Sequence, residues 1–123
     1  MRVIVCGGRN FSDYELIKST LNEIKEKHGH FVLIHGAENG ADLLAEEWAR
    51  KNEVVYIGMP AYWQTEGKSA GPRRNQRMID KWKPDLVVAF PGNQGTQDMV
   101  RRAEKAGIPR RRAFLLQDYK IFC

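Results

Sequence analysis

The chain is 123 residues long with 42% hydrophobic and 28% charged residues, the size of one compact domain (residues 1–123) and a composition that excludes disordered, collagen-like and low-complexity classes. Apolar runs such as residues 86–90 fall far short of the roughly 20 residues a membrane span requires, and the opening Met1-Arg2-Val3-Ile4-Val5 lacks a signal-peptide layout, so a cytoplasmic protein with no membrane partner is expected. The net charge of +5 is uneven: residues 1–60 carry seven Lys and Arg against nine Asp and Glu, and residues 61–123 carry thirteen against six, so the second half attracts an anion: a nucleotide, a nucleic-acid backbone or an acidic protein.

Residues 3–6 are a short apolar run ending in Gly7-Gly8, which is how a parallel strand covered on both faces reads. Tyr14, Leu16, Ile17, Leu21 and Ile24 then recur at helical spacing, with Ser12 or Asp13 as cap and His28-Gly29 as stop. Residues 31–34 give a second strand closed by His35-Gly36, and residues 41–51 a second helix with Leu44, Ala45, Trp48 and Ala49 on its inner face. Residues 54–57 read as a third strand. A long polar segment, residues 59–72, precedes a helix over 73–82 with Met78, Ile79 and Trp82 as its apolar positions, ended by Pro84. Residues 85–90 form the fourth strand, 96–106 the fourth helix with Gly107 past its end, and 109–116 a last strand. This alternation predicts an α/β fold: a Rossmann-like three-layer sandwich with a mostly parallel sheet of four to five strands and right-handed crossovers. Such sheets bind ligands outside the carboxyl ends of their strands.

Three loops belong to that edge: Cys6-Gly7-Gly8-Arg9-Asn10, His35-Gly36-Ala37-Glu38-Asn39-Gly40-Ala41-Asp42, and Phe90-Pro91-Gly92-Asn93-Gln94-Gly95-Thr96. Their glycines permit positive φ and close approach of backbone to a ligand, and the N–H groups of the following helix starts suit a phosphate. The same glycines also serve any tight turn from strand to helix. A helix dipole contributes only about 0.3–1 kcal/mol, so an anion site needs cationic side chains as well, and Arg9, Arg73, Arg74 and Arg77 are at hand. No G-x-G-x-x-G fingerprint follows Gly7-Gly8, which disfavours a standard NAD site, and no cofactor is expected. Gly67-Lys68-Ser69 is not a P-loop, because Tyr62 stands where that motif needs glycine; the basic segment from Gly67 to Arg77 is either a solvated loop or an anion clamp. Two cysteines, Cys6 and Cys123, form neither a disulfide framework nor a metal-ligand spacing, so no metal is expected.

Taken together, Val3-Ile4-Val5-Cys6-Gly7-Gly8-Arg9-Asn10-Phe11, His35-Gly36-Ala37 to Gly40-Ala41-Asp42, Pro60-Ala61-Tyr62-Trp63, the Gly67 to Met78 segment, and Pro84 to Gly92 with Gly95-Thr96 resemble the YspA-type, cpYpsA-related group of the SLOG superfamily over about residues 2–109. The superfamily is Rossmann-like and includes the Lonely Guy phosphoribohydrolases and the DNA-processing Smf/DprA proteins. The resemblance implies a nucleotide or nucleotide-derived small-molecule ligand and a homo-oligomer. The Lonely Guy enzymes carry an Arg in R-K-x-x-M and a Glu in P-G-G-x-G-T-x-x-E. Arg74-Asn75-Gln76-Arg77-Met78 is similar to the first motif with Asn for Lys, so Arg74 takes the catalytic Arg role if the protein is an enzyme. In the second, Pro91, Gly92, Gly95 and Thr96 match, but Asn93 replaces a glycine and Met99 the glutamate. A thioether neither donates a proton nor stabilises charge at the ribose, and the adjacent Asp98 is turned about 100° away on a helix. Asp42 or Glu38 could substitute from another loop.

The resulting expectation is a binding or sensing domain. Its ligand-binding residues are Gly7, Gly8, Arg9, Gly36, Ala37, Asp42, Trp63, Arg74, Asn75, Pro91, Gly92, Gly95 and Thr96. Asp42 takes a ribose hydroxyl or merely favours the dipole of its helix, and Trp63 walls a base. Trp48 and Trp82 read as core, His35 as a hydrogen-bonded residue or a proton carrier, His28 and His30 as solvated, and Cys6 as buried and inert or reactive. Arg110-Arg111-Arg112 reads as a solvated stretch before an edge strand, or as contact to a nucleic-acid backbone. Residues 115–123, with Phe114 before them and Tyr119 and Phe122 among them, cover an edge or form an oligomer contact. Alternatives are a nucleotide N-glycosidic hydrolase and a single-stranded nucleic-acid-binding protein.

Overall fold

The computed structural model describes residues 1–113; the expectations for the C-terminal stretch from Phe114 to Cys123 lie outside the described residues. Strand β1 (Arg2–Cys6) leads into helix α1 (Tyr14–His28), and β2 (Val32–His35) into α2 (Ala41–Lys51). Strand β3 (Tyr56–Gly58) is followed by a short helix α3 (Trp63–Glu66), a 3-10 turn (Gly67–Ser69) and α4 (Ala70–Trp82). Strand β4 (Leu86–Ala89), α5 (Gln94–Lys105) and β5 (Arg110–Arg112) complete the order. The strands form one sheet, β3-β2-β1-β4-β5, with every neighbouring pair parallel. This is the Rossmann-like α/β sandwich.

Period-two alternation along the strands supplies two cores. Val3, Val5, Leu33, Val88 and Phe90 face α1 and α2, where Ile17, Leu21, Ala45 and Trp48 meet them. Ile4, Ile34 and Val87 turn to the other side, against Met78 and Ile79 of α4 and Met99 and Ala103 of α5. Because each face is covered, β1 is apolar without interruption after Arg2. Burying one such Leu or Ile side chain contributes about 1.5–3 kcal/mol. Trp48 stacks on Phe31 with ring centroids 5.9 Å apart, and its Nε1 donates to Asn22 Oδ1 at 2.9 Å, joining α2 to α1. Trp82 packs half-buried against the second core.

Several boundaries differ from the sequence reading, each for a local reason. The third strand begins at Tyr56, because Val54 N–H is spent on Ala49 O at 2.8 Å, closing the end of α2. The polar segment before Arg73 is largely helical, and α4 starts at Ala70. Pro72 sits in its first turn, where a missing N–H leaves no helical bond unmade. The helix stops at Lys83, which takes φ 45° and donates its N–H to Ile79 O at 2.9 Å before Pro84. Helix α5 starts at Gln94, which puts Gly95 and Thr96 inside its first turn. The arginine run is itself the edge strand, paired with β4. Alternation directs Arg111 to Glu23 of α1 at 2.7 Å, so the three cations do not share one face.

Candidate functional site

The chain leaves β1 outward through β2 and β3, then returns to the other side of β1 as β4 and β5, so the sheet's switch point lies between β1 and β4. A cleft of about 720 Å³ opens there. Cys6 and Gly7 at the end of β1 lie between two walls. One wall is the β2–α2 loop with Gly36, Glu38 and Asp42; the other is the flank of α5 with Gly95, Thr96, Asp98 and Arg101. Trp63, Lys68, Arg74 and Asn75 complete the lining.

The first wall is closely interlocked. Asp42, buried at the start of α2, accepts hydrogen bonds at Oδ2 from Gly36 N at 3.1 Å and Glu38 N at 3.2 Å; among the described residues Oδ1 makes none. Burial pushes its carboxyl up to about 6, against the pull of those two N–H groups and of the Arg74 guanidinium. His35 is buried too. Its Nδ1 accepts from Ala37 N at 2.9 Å, so Nε2 carries the proton and donates to Glu46 at 2.9 Å. Burial lowers its proton affinity below the usual histidine value, the Glu46 carboxylate opposing. With both ring nitrogens engaged, His35 shapes the loop and carries no proton to the cleft. Ala37 takes φ 58°, a left-handed conformation uncommon for a residue with Cβ, between His35 and Glu38.

The guanidinium of Arg74 reaches from α4 under this loop. Its Nε donates to Asn75 Oδ1 at 3.0 Å and its Nη1 to the Gly36 carbonyl and, at 3.4 Å, to Met59 O; among the described residues Nη2 makes no hydrogen bond. Burial lowers its proton affinity, while the Asp42 and Glu38 carboxylates restore part of it. Asn75 in turn donates to Gly95 O at 3.3 Å and Asp98 Oδ2 at 2.9 Å, which ties α4 to α5. Trp63 Nε1 donates to Glu38 at 3.2 Å, and Arg9 lies over the Trp63 ring at 5.2 Å.

Of the expected ligand-binding residues, Gly7, Arg9, Gly36, Asp42, Trp63, Arg74, Asn75, Gly95 and Thr96 line the cleft. Gly8, Ala37, Pro91 and Gly92 fall outside its lining: Gly8, Pro91 and Gly92 pack one loop on the next, and Ala37 is held within its own loop by His35. Gly8 N donates to Pro91 O at 2.9 Å and Gly8 O accepts from Ala41 N at 3.2 Å. The glycines also differ from their expected use. Positive φ falls at Gly40 (83°) and Ala37, not at Gly7, Gly8, Gly36, Gly92 or Gly95. A Cβ at Gly36 would lie 2.5 Å from Arg74 Nη1, and one at Gly92 2.2 Å from Thr96 Oγ1, whereas at Gly95 it would meet nothing within 4 Å. Most of these glycines make room for protein; Gly95 alone among them leaves open space.

The α5 wall holds the residues that sequence reasoning missed. Gln94, Gln97, Asp98 and Arg101 follow an i, i+3, i+4, i+7 spacing along the helix and all line the cleft. That polar stripe was the available signal. Asp98 is thus not turned away: the cleft runs along the helix flank and takes in both Asp98 and Met99. Met99 is core, while Asp98 Oδ2 is held by Asn75 and, at 2.9 Å, by Arg102 Nε. Cys6 lies at the base, where burial and the Asp42 charge push its thiol far up, so it is an inert thiol. Among the described residues no group of three or more His, Cys, Asp and Glu could hold a metal, and no helix is long and apolar enough to cross a membrane.

Comparison with known proteins bears on this arrangement. A curated relative, the Gene 61 protein of Mycobacterium phage D29, is 33% identical over 116 residues, covering 88% of this chain and 92% of its own. Among solved structures, the molybdenum cofactor binding protein of the phototrophic bacterium Rippkaea orientalis superposes with a TM-score of 0.69 at 24% identity, covering 98% of this chain and 81% of that one. MurG of Acinetobacter baumannii superposes with a TM-score of 0.60 at 10% identity; 90% of this chain is covered but only 34% of MurG, so the chain spans about a third of that protein. Both structural likenesses are likenesses of fold. The YspA, cpYpsA-related SLOG family matches residues 1–65, which hold β1, the β2–α2 loop with Asp42, and Trp63, and the chain belongs to that family.

Proposed function

We propose that the cleft binds a nucleotide or a nucleotide-derived metabolite, as a sensor or processing domain. The observation that carries the reading is the position and finish of the α5 wall. At the sheet's switch point, the first turn of a twelve-residue helix presents Gly95 with open space before it, and Thr96, 9% exposed, with a hydroxyl that makes no hydrogen bond among the described residues. Lys68 and Arg101 line the same cleft without an ion pair among the described residues. Free N–H groups, a hydroxyl and two cations suit a phosphate. Across the cleft, Asp42 Oδ1 is free to accept from a ribose hydroxyl. Family membership and the Rippkaea orientalis neighbour, a protein that binds a molybdenum cofactor, support ligand binding on this fold.

A second reading is hydrolysis of a nucleotide N-glycosidic bond. It is favoured by Asp42, a fixed carboxyl whose pKa of about 6 suits proton transfer near neutrality and which could stand in for the glutamate that Met99 replaces. Proton NMR of the protein with nucleoside monophosphates, following ligand line widths and anomeric signals over time, separates the two. Broadening with intact anomeric signals is expected for binding. Release of free base and sugar phosphate, abolished by Arg74→Ala, establishes hydrolysis instead. If no ligand line broadens and none is consumed, the nucleotide reading fails, and salt-dependent binding of oligonucleotides becomes the measurement to make.

A further inference from the structure

Glu38 occupies an unusual place. Three segments distant in sequence converge on its carboxylate: Arg9 Nη2 from the β1–α1 loop at 3.4 Å, Trp63 Nε1 from α3 at 3.2 Å, and Arg74 Nη1 from α4 at 3.7 Å. One indole N–H that donates to Glu38 and two guanidinium charges beside it, the Arg74 Nη1 hydrogens being taken by Gly36 O and Met59 O, make a surrounding that suits an external oxyanion, and all four residues line the cleft. The loop is built to hold the carboxylate there. Asp42 Oδ2 fixes the Glu38 backbone N–H, and Ala37 just before it is held left-handed with its own N–H on His35. Such local strain in a loop whose neighbours are all hydrogen-bonded is commonly kept for a functional reason.

We propose that the Arg9, Arg74 and Trp63 groups form an anion seat, that Glu38 occupies it in this structure, and that a second phosphoryl group of the ligand, beyond the one received at the start of α5, takes the seat by displacing Glu38. The inference rests on the nucleotide reading above and names the residue that sets its charge selectivity. A phosphate dianion carries more charge toward two guanidinium groups than the single carboxylate it replaces, so the exchange favours ligands with a second phosphoryl group and leaves monophosphates without a means of opening the seat. Glu38, with its side chain 22% exposed, moves into water when released.

The test compares ADP and AMP on the wild-type chain and on Glu38→Gln, with thermal unfolding confirming that both are folded. Expected is a gain of about tenfold in ADP affinity for Glu38→Gln and a change of less than about twofold for AMP, whose one phosphate stays at the start of α5. Loss of a nearby negative charge could by itself favour any anion, so Arg9→Ala is added in both backgrounds. If Glu38 fills the seat, Arg9→Ala weakens ADP binding about tenfold in Glu38→Gln but less than about threefold in the wild type, because there it also loosens Glu38. Equal losses in the two backgrounds mean a general field effect and overturn the seat. Weakening of both ligands by Glu38→Gln means that Glu38 contacts the ligand directly, and an unchanged ADP affinity means that it guards nothing; either result overturns the inference while leaving nucleotide binding in place. If neither chain binds ADP or AMP, the nucleotide reading falls and this inference with it.

Discussion

The two walls of the cleft are made of similar material, a glycine-bearing loop running into a helix start, yet they are finished in opposite ways. In the β2–α2 wall the polar side chains are already engaged by protein: Asp42 Oδ2 holds two N–H groups, leaving only Oδ1 unbonded among the described residues, His35 is bonded on both ring nitrogens, and Glu38 accepts from Trp63 beside two guanidinium groups. Gly36 and Gly40 lie against neighbouring groups so closely that a single Cβ would collide with them. The α5 wall keeps an open glycine, an unbonded threonine hydroxyl and unpaired cations among its described neighbours. Gly95, Lys68 and Arg101 are exposed, so water partners these groups now and an anion that replaced it would meet no competing protein contact. One wall is a scaffold interlocked with its own neighbours; the other is the receiving surface of the proposed function.

The comparison breaks first, and with the largest effect, at Gly40. A Cβ there would stand 2.1 Å from Gly8 O and 2.6 Å from Arg9 O, and φ is 83°, so neither the space nor the backbone tolerates a side chain. Gly40→Ala is expected to lower stability by about 3 kcal/mol or more, read by urea unfolding. A loss below about 1 kcal/mol would show that the β1–α1 and β2–α2 loops can part at little cost, and the first wall would not be a scaffold.

Charge sharpens the contrast next. Asp42 has its carboxyl raised in the folded chain, so its contribution to stability is greatest below the unfolded value near 3.8 and is lost as pH rises through about 6. His35, lowered in the folded chain, has the opposite slope: its contribution is present above the unfolded value of 6.5 and is lost on acidification. The two offset one another in the wild type. Asn at position 42 still accepts both N–H bonds, so Asp42→Asn should raise stability by about 2 kcal/mol at pH 8 and unmask a steeper loss between pH 6 and pH 4. Equal pH profiles for the two chains would mean that Asp42 is not strained in its charged form.

Much of the fold could be read from the sequence because strand burial on two faces and helical spacing are both local patterns. Residues 3–6, 41–51 and Trp48 fall where their apolar order puts them. Local pattern failed where a local rule had two outcomes. Gly71-Pro72 falls in the polar segment that the sequence pattern sets before the helix, yet it lies in the first turn of α4, since proline stops a helix only beyond that turn. The site was legible as a set of loops and far less so as roles. Glycine after a strand signals a tight place, but not whether the tightness serves a ligand or, as at Gly36, the Arg74 guanidinium that packs beneath it. Glu38 gave no signal as a counter-ion, because its partners Arg9, Trp63 and Arg74 come from other segments and only the fold brings them together.

The smallest effect on stability is expected at Gly95, and it is the most direct test of the receiving surface. Gly95 lies in the first turn of α5 without positive φ, and a Cβ there would meet no protein atom within 4 Å. Replacing glycine by alanine inside a helix removes backbone freedom from the unfolded chain, so Gly95→Ala should leave stability unchanged or raise it by about 0.5–1 kcal/mol. The added methyl would instead occupy the space through which a phosphate approaches the N–H groups of the first turn, and AMP affinity should fall at least about tenfold. Stability and binding therefore move in opposite directions here, whereas at Gly40 the expected loss is one of stability. A Gly95→Ala chain that binds AMP as well as the wild type would show that the ligand does not approach the start of α5, and the receiving surface would have to be placed at Lys68 and Arg101 alone.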